Sequence, residues 1–76
     1  MKELVEFLAR ELVDDPDSVR VTETADSRGV LFTLNVAPDD MGKVIGRGGR
    51  TAKAIRTVVR AAATRQGVDV RVDIVD

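Results

Sequence analysis

The chain has 76 residues and a formal net charge of −1, and 43% of its residues are hydrophobic while 33% are charged. This length allows one small domain, and this composition is that of a folded chain rather than a disordered or membrane-embedded one. The sequence contains neither Cys nor His, which excludes disulfides, thiolate nucleophiles and imidazole acid–base chemistry. Without Trp or Tyr and with only two Phe, it cannot form a base-stacking surface from several aromatic rings.

The small net charge hides a strong segregation of charge along the chain. Residues 1–40 contain ten acidic and four basic residues, whereas residues 41–68 contain seven basic residues and no acidic one. Such clustering is the electrostatic footprint of a surface that binds a polyanion. An ordinary solvated helix face is the alternative interpretation of the same cluster.

The first half of the chain predicts a helix followed by a β-hairpin. Residues 2–13 predict an amphipathic helix, because large apolar residues recur at spacings of three and four. These residues are Leu4, Phe7, Leu8 and Leu12. The helix should end before Pro16. Apolar and polar residues alternate through residues 19–36, and a turn cluster at residues 26–29 divides this segment into two antiparallel strands.

The second half predicts two helices around a glycine-rich break, followed by a last strand. Residues 39–65 form a helix–loop–helix unit, whose second helix runs from Arg50 to about Arg65 and buries Ile55 and Val59. Alternation over residues 68–75 predicts the final strand. The order is therefore α-β-β-α-α-β. We expect an α+β fold in which three helices cover one face of a three-stranded mixed sheet, with the last strand paired parallel to its neighbour.

The break between the two helices, Gly46-Arg47-Gly48-Gly49, is the most informative segment and is called the glycine loop below. Glycine has no Cβ, so a sugar-phosphate chain could approach the backbone closely, and the N–H groups that start the next helix attract anions. The dinucleotide-binding fingerprint does not fit, because Thr51 stands where it requires glycine, and the Walker pattern fails as well. A tight turn without any ligand is the alternative.

Helix, I-G-x-x-G, helix is the pattern of the KH domain, whose loop holds the backbone of about four single-stranded nucleotides. The whole chain resembles the type II, bacterial arrangement of this domain. The segment GKVIGRGGRTAKAIRTVVRAAA is similar to that of the small stand-alone bacterial KH proteins of the KhpA (YlqC) family. One departure is Gly48, where the family commonly has a larger polar residue. The resemblance implies a single KH domain over residues 1–76.

The resemblance also implies which residues contact RNA. The glycine loop, Gly46, Arg47, Gly48 and Gly49, would hold the phosphates, and Ile45 would support one wall of the nucleotide groove. The charged flank would consist of Lys43, Arg50 and Lys53. Arg56 is a secondary candidate, for which a solvated helix face is an equally good interpretation.

By the same resemblance, the function is single-stranded RNA binding without catalysis, and no cofactor, metal or small-molecule substrate is implied. Family members resemble RNA chaperones that act with a second KH protein of the Jag/KhpB (EloR) type, in cell elongation and peptidoglycan homeostasis. We expect a cytoplasmic protein that does not associate with membranes, and a homodimer or a heterodimer with such a partner. The residues leave one alternative open, a dimerisation or protein-interaction module whose RNA binding is weak or secondary.

Three apolar residues and the acidic clusters complete the sequence-based expectations. Phe7 and Phe32 should be core rings rather than base-stacking platforms, and Leu31 is a candidate protein contact on the outer sheet face. The acidic residues next to Pro16 lack the ligand spacing of a calcium loop and should form a solvated turn. Asp39 and Asp40 should complement the positive end of the following helix. No acid pair or nucleophile accompanies the glycine loop, so we expect no enzyme.

Overall fold

The computed structural model describes residues 1–76 as three α-helices packed on one three-stranded sheet. The helices are α1 (Lys2–Leu12), α2 (Met41–Ile45) and α3 (Arg50–Arg65), and the strands are β1 (Arg20–Asp26), β2 (Gly29–Asn35) and β3 (Val70–Val75). Short 3₁₀ turns lie at Pro16–Ser18, Pro38–Asp40 and Arg47–Gly49. The predicted order α-β-β-α-α-β is confirmed. None of the helices combines the length and the apolar character needed to cross a lipid bilayer.

The sheet has the order β1-β2-β3 and is mixed, as predicted. Strands β1 and β2 form an antiparallel hairpin, whereas β2 and β3 run parallel, with Val30 beside Val70. The parallel pairing follows from the connection, because the chain leaves β2, passes through α2 and α3 on one face, and returns beside β2.

The core lies between this sheet face and the three helices. Every second residue of the central strand faces inward, so Phe32 and Leu34 are fully buried and Phe32 is the core ring that the sequence predicted. Helix α3 contributes the stripe Ala52, Ile55 and Val59, at the predicted spacing. The opposite face of the sheet has no helix on it, and Leu31 lies there, half-buried.

The predicted orientation of α1 about its axis is wrong. Val5 and Ala9 are fully buried, Leu8 is half-buried, and Phe7 is 59% exposed instead of being a core ring. The small side chains face the sheet because they let the helix approach it closely, while the larger ones spread to the sides. Phe7 and Leu12 thus leave apolar surface on the outside of the molecule.

A buried carboxylate joins the turn before α2 to the end of α1. The side chain of Asp40 is nearly inaccessible, and its two oxygens accept hydrogen bonds from the backbone N–H groups of Asp14 at 3.2 Å and Asp15 at 3.1 Å. It makes no capping bond to α2. The sequence-based view of Asp40 as a helix-start residue therefore missed its main role, which is to fix the turn after α1.

The hairpin turn is held by a second carboxylate. Asp26 accepts a hydrogen bond from the backbone N–H of Arg28 at 2.8 Å and one from the Arg71 guanidinium on β3 at 2.9 Å. Both bonds favour the ionised form, so the Arg28 N–H and then Arg71 lower the pKa of Asp26 below its usual value.

Candidate nucleic-acid interface

The glycine loop connects α2 to α3 through three residues with positive φ. Gly46 has φ 77° and ψ 170°, while Gly48 and Gly49 have φ 66° and 77° with ψ near zero. A Cβ on Gly46 would collide with the side chain and the backbone nitrogen of Thr51, whereas a Cβ on Gly48 or Gly49 would meet no atom within 4 Å. The loop is therefore packed tightly against α3 at its first residue and is bare on its outer surface.

Helix α3 starts directly from this bare surface. No side chain caps its first turn, the preceding residue Gly49 lies in the left-handed region, and no acidic residue occurs in the first turn. The Arg50 N–H bonds to the Arg47 carbonyl, and the aligned peptide dipoles of the 16-residue helix give this end a positive potential. An anion can approach it without displacing a side chain.

Basic side chains lie in the glycine loop and along the first three turns of α3, and they form no ion pair within the chain. They are Arg47, Arg50, Lys53, Arg56 and Arg60. Four of them are exposed and Arg56 is half-buried. Because none of them pairs with a carboxylate of the chain, their charges remain available to an external polyanion.

Lys43 differs from these residues, although the sequence grouped it with them. Its ammonium lies 3.1 Å from a carboxylate oxygen of Asp14 and 3.9 Å from Asp40, at the end of α1. The bond to Asp14 and the charge of that carboxylate raise the pKa of Lys43 above its usual value. Unlike the five basic residues above, Lys43 therefore forms ion pairs within the chain.

The two sides of α3 have different chemistry. Lys53, Arg56 and Arg60 follow one side of its buried stripe, which we call the basic flank. This flank faces β3, since the Nε of Arg56 donates a hydrogen bond to the Val72 carbonyl at 3.0 Å. Ile45, the exposed last residue of α2, lies immediately before the glycine loop and adds apolar surface there. The basic flank, the glycine loop and the end of α2 thus form one continuous region.

The other side of α3 faces α1 across an apolar groove of about 250 Å³. The groove is lined by Leu8, Glu11, Leu12, Thr51, Ala54, Ile55 and Val58. Val58 is 46% exposed even though it is a large apolar residue. The sequence analysis missed this groove. The only signal for it was an apolar residue outside the buried stripe of α3.

The basic region itself contains no pocket. The structure has two concavities, and residues 43–50 line neither of them. Small-molecule sites are usually concave and mostly apolar, whereas an open basic surface suits an extended polymer that runs across it. The arrangement of bare backbone and basic side chains can bind anions.

Comparison with known proteins identifies the family. The sequence model described as "KhpA/KhpB, KH domain" matches residues 2–74. The chain is 60% identical over 76 residues to the RNA-binding protein KhpA of Halalkalibacterium halodurans, covering all of both chains. It is 53% identical over 72 residues to the RNA-binding protein KhpA of Mycobacterium tuberculosis, covering 95% of this chain and 86% of that one.

A solved structure shares the fold. A crystal structure of an Era variant from Aquifex aeolicus superposes on 96% of this chain with a TM-score of 0.62 and 19% identity. This chain spans only 28% of that protein, so the likeness concerns the fold alone. With the family match extending over nearly the whole sequence, the chain belongs to the KhpA/KhpB family of KH domains.

Proposed function

We propose that this KH protein binds single-stranded RNA, with the phosphates on the glycine loop and the strand running along the basic flank of α3. One observation supports this most strongly. The bare backbone of Gly48 and Gly49 adjoins a helix start without a side-chain cap, and the nearby cations Arg47, Arg50 and Lys53 form no ion pair within the chain. The relatives named as RNA-binding proteins align with at least 95% of this chain.

Phosphate binding at this surface has a measurable salt dependence. A KH loop clamps about four nucleotides, which brings about three phosphates to the protein. Each contact to a single strand lowers the slope of log affinity against log salt by about 0.7, so we expect a slope of about −2. Raising the salt from about 50 to 200 mM should then weaken binding by about twentyfold.

The direct test replaces Arg47 and Gly48 together. Arg47→Asp with Gly48→Asp places two carboxylates where phosphates should lie, while Arg47→Asn with Gly48→Asn is the matched neutral control. Asp and Asn have similar size and both tolerate positive φ, so backbone strain at Gly48 is the same in both variants. Circular dichroism should show both variants folded.

Fluorescence anisotropy with a short labelled single-stranded RNA measures the result. The Asp variant should bind at least tenfold more weakly than the Asn variant, because it adds two negative charges to an anion site. Equal affinities of the two variants would contradict the proposed site. If the natural chain binds a single-stranded DNA of matching sequence as tightly as the RNA, the result is consistent with the proposed site but shows that the chain does not prefer RNA.

The apolar groove favours a second role, as a contact for a protein partner. Leu8 and Leu12 on α1 and Val58 on α3 expose apolar surface there, and exposed apolar patches of this kind mark interaction sites. We propose that a second copy of this chain, or a second KH protein of the Jag/KhpB (EloR) type, docks in the groove. Because the groove and the basic flank lie on opposite sides of α3, docking would leave the RNA surface free.

Sedimentation equilibrium at micromolar concentrations tests this role. Val58→Asp should convert a dimer into a monomer, whereas Thr57→Asp, an exposed neighbour outside the groove, should not. A natural chain that stays monomeric and binds no Jag/KhpB-type partner would contradict the proposal.

The cellular role rests on family resemblance alone. We propose that the protein is a cytoplasmic RNA chaperone that contributes, with its KH partner, to cell elongation and peptidoglycan homeostasis, without a cofactor, metal or small-molecule substrate. Cell length and peptidoglycan composition in a deletion strain measure this role. Complementation by the natural gene but not by the Arg47→Asp, Gly48→Asp variant would support it, and normal cells after deletion would contradict it.

A further inference from the structure

Helix α2 connects an acidic end of the molecule to the basic glycine loop. Its N-terminal end follows Asp39 and Asp40 in the preceding 3₁₀ turn, whereas its C-terminal end leads into Gly46 and Arg47. The helix has five residues, so at a rise of about 1.5 Å per residue it is only about 7 Å long. A polyanion that passes from the glycine loop along α2 therefore meets carboxylates after little more than one helical turn.

Lys43 is the one basic residue of α2, and it already holds an anion. Its Nζ lies 3.1 Å from a carboxylate oxygen of Asp14, and the side chains of Lys43 and Asp14 are 45% and 79% exposed. The hydrogen bond to Asp14 raises the pKa of Lys43 most, and the charges of Asp40 and Asp39 raise it further. The ammonium of Lys43 is thus open to solvent, but RNA could use it only by displacing Asp14.

The backbone of Asp14 is fixed where its carboxylate meets Lys43. The buried carboxylate of Asp40 accepts hydrogen bonds from the N–H groups of Asp14 and Asp15 and so fixes the turn after α1. An exposed ion pair is weakened by the cost of ordering two long side chains. Because the Asp14 side chain is short and its backbone is already ordered, this cost falls mainly on Lys43. The Asp14 carboxylate occupies the position beside the ammonium that a phosphate oxygen would take.

We propose that Asp14 limits the RNA-binding surface by holding Lys43 in place of a phosphate, so that the bound strand does not continue from the glycine loop over α2. This inference rests on the proposed RNA-binding function and adds the boundary of the bound strand to it. On the other side of the loop, Lys53 and Arg60 have no carboxylate partner within the chain. The strand is therefore directed along α3 and away from the acidic turn after α1.

The salt dependence of binding to a labelled uridine octamer tests the proposal. Asp14→Asn removes the charge but keeps the size of the side chain and the N–H that Asp40 binds. The freed Lys43 should add one phosphate contact, so the slope of log affinity against log salt should change from about −2 to about −2.8. The affinity should rise about fivefold at about 50 mM salt and only about twofold at about 200 mM.

Three further variants separate the role of Lys43 from that of net charge. Asp17→Asn removes the same charge from an exposed residue of the same turn that forms no ion pair, and it should leave the slope unchanged. Asp14→Asn combined with Lys43→Gln should lose the gain. Lys43→Gln alone should leave the slope of the natural chain unchanged, because Lys43 contacts no phosphate there.

Equal gains in Asp14→Asn and Asp17→Asn would overturn the inference, because net charge alone would then explain them. A shallower slope for Lys43→Gln than for the natural chain would also overturn it. The side-chain resonances of Lys43 should shift on addition of the octamer in Asp14→Asn but not in the natural chain. Binding that is lost in the Arg47→Asp, Gly48→Asp variant but is not improved by Asp14→Asn would refute only the role of Asp14. Absence of binding by the natural chain would overturn the RNA-binding function as well.

Discussion

Replacing Gly46 with alanine should destabilise the fold much more than the same replacement at Gly48, although both residues lie in the glycine loop. Gly46 has φ 77° and ψ 170°, a region essentially restricted to glycine, where another residue costs about 1–3 kcal/mol. Its new Cβ would also overlap Thr51 at the start of α3, and overpacking of this kind costs about 1–3 kcal/mol more. The expected loss for Gly46→Ala is therefore about 2–6 kcal/mol.

Gly48→Ala is the matched comparison. Gly48 has φ 66° and ψ 18°, the left-handed helical region, and its new Cβ would meet no atom within 4 Å. Only the conformational cost remains, about 1–2 kcal/mol, and the lower entropy of the unfolded alanine chain offsets part of it. A domain of this size has a free energy of unfolding of about 4–11 kcal/mol, so Gly46→Ala should remove a large share of it and Gly48→Ala a small one.

Urea unfolding followed by far-UV circular dichroism measures the difference. Thr51→Ala removes the hydroxyl nearest to the new Cβ, so the variant with Gly46→Ala and Thr51→Ala should lose less than the two single losses added together. Equal unfolding midpoints for Gly46→Ala and Gly48→Ala would refute the reasoning, because only the tight contact and the backbone region distinguish the two positions.

Three further outcomes follow from the charged residues. Asp40→Ala leaves two backbone N–H groups without a partner and should lower the free energy of unfolding by about 1–3 kcal/mol, whereas the exposed Asp39→Ala should change it by less than about 0.5 kcal/mol in urea unfolding. The folded-state pKa of Asp26 is lowered, so its stabilisation is present above the usual carboxyl pKa and is lost as the pH falls through the lower folded value. On acidification, the thermal unfolding midpoint of the Asp26→Asn variant should therefore fall less than that of the natural chain. An equal fall in both would exclude this contribution of Asp26 to stability. Arg60→Gln should reduce the salt slope of RNA binding by about 0.7, while Lys2→Gln on α1 should leave it unchanged.

Local patterns in the sequence were sufficient to predict the helices, the strands and the glycine loop. Alternation in β2 and the spacing of Ile55 and Val59 in α3 are fixed by periods of two and 3.6 residues, which hold in any tertiary context. The glycines at 46, 48 and 49 all have positive φ, so the break between helices is also a local property. The parallel pairing of β3 followed from the helical crossover.

The orientation of α1 could not be predicted in this way. Its apolar residues cover more than one side, and a spacing rule that ranks large residues first favours Leu4, Phe7 and Leu8. Val5 and Ala9 are buried instead, because the space between α1 and the sheet suits their smaller side chains. The size of that space depends on how the other elements pack.

The long-range polar contacts could not be predicted from the sequence either. Asp40 bonds to backbone groups 25 and 26 residues away, and Arg56 bonds to a carbonyl 16 residues away. No local motif connects such positions. Lys43 belonged with the basic cluster by sequence position, but the end of α1 brings Asp14 to it and engages its charge. The apolar groove likewise exists only because α1 and α3 lie side by side.

The most direct test of RNA binding at the glycine loop is a titration of the isotope-labelled protein with a short single-stranded RNA, followed through its backbone amide resonances. The largest shifts should occur in residues 45–50, at Lys53 and Arg56, and at Val72 on β3, whose carbonyl accepts the hydrogen bond from Arg56. Residues of the apolar groove such as Leu8 and Val58 should change little. Largest shifts in the groove, or no shifts at RNA concentrations well above the protein concentration, would contradict the proposed function.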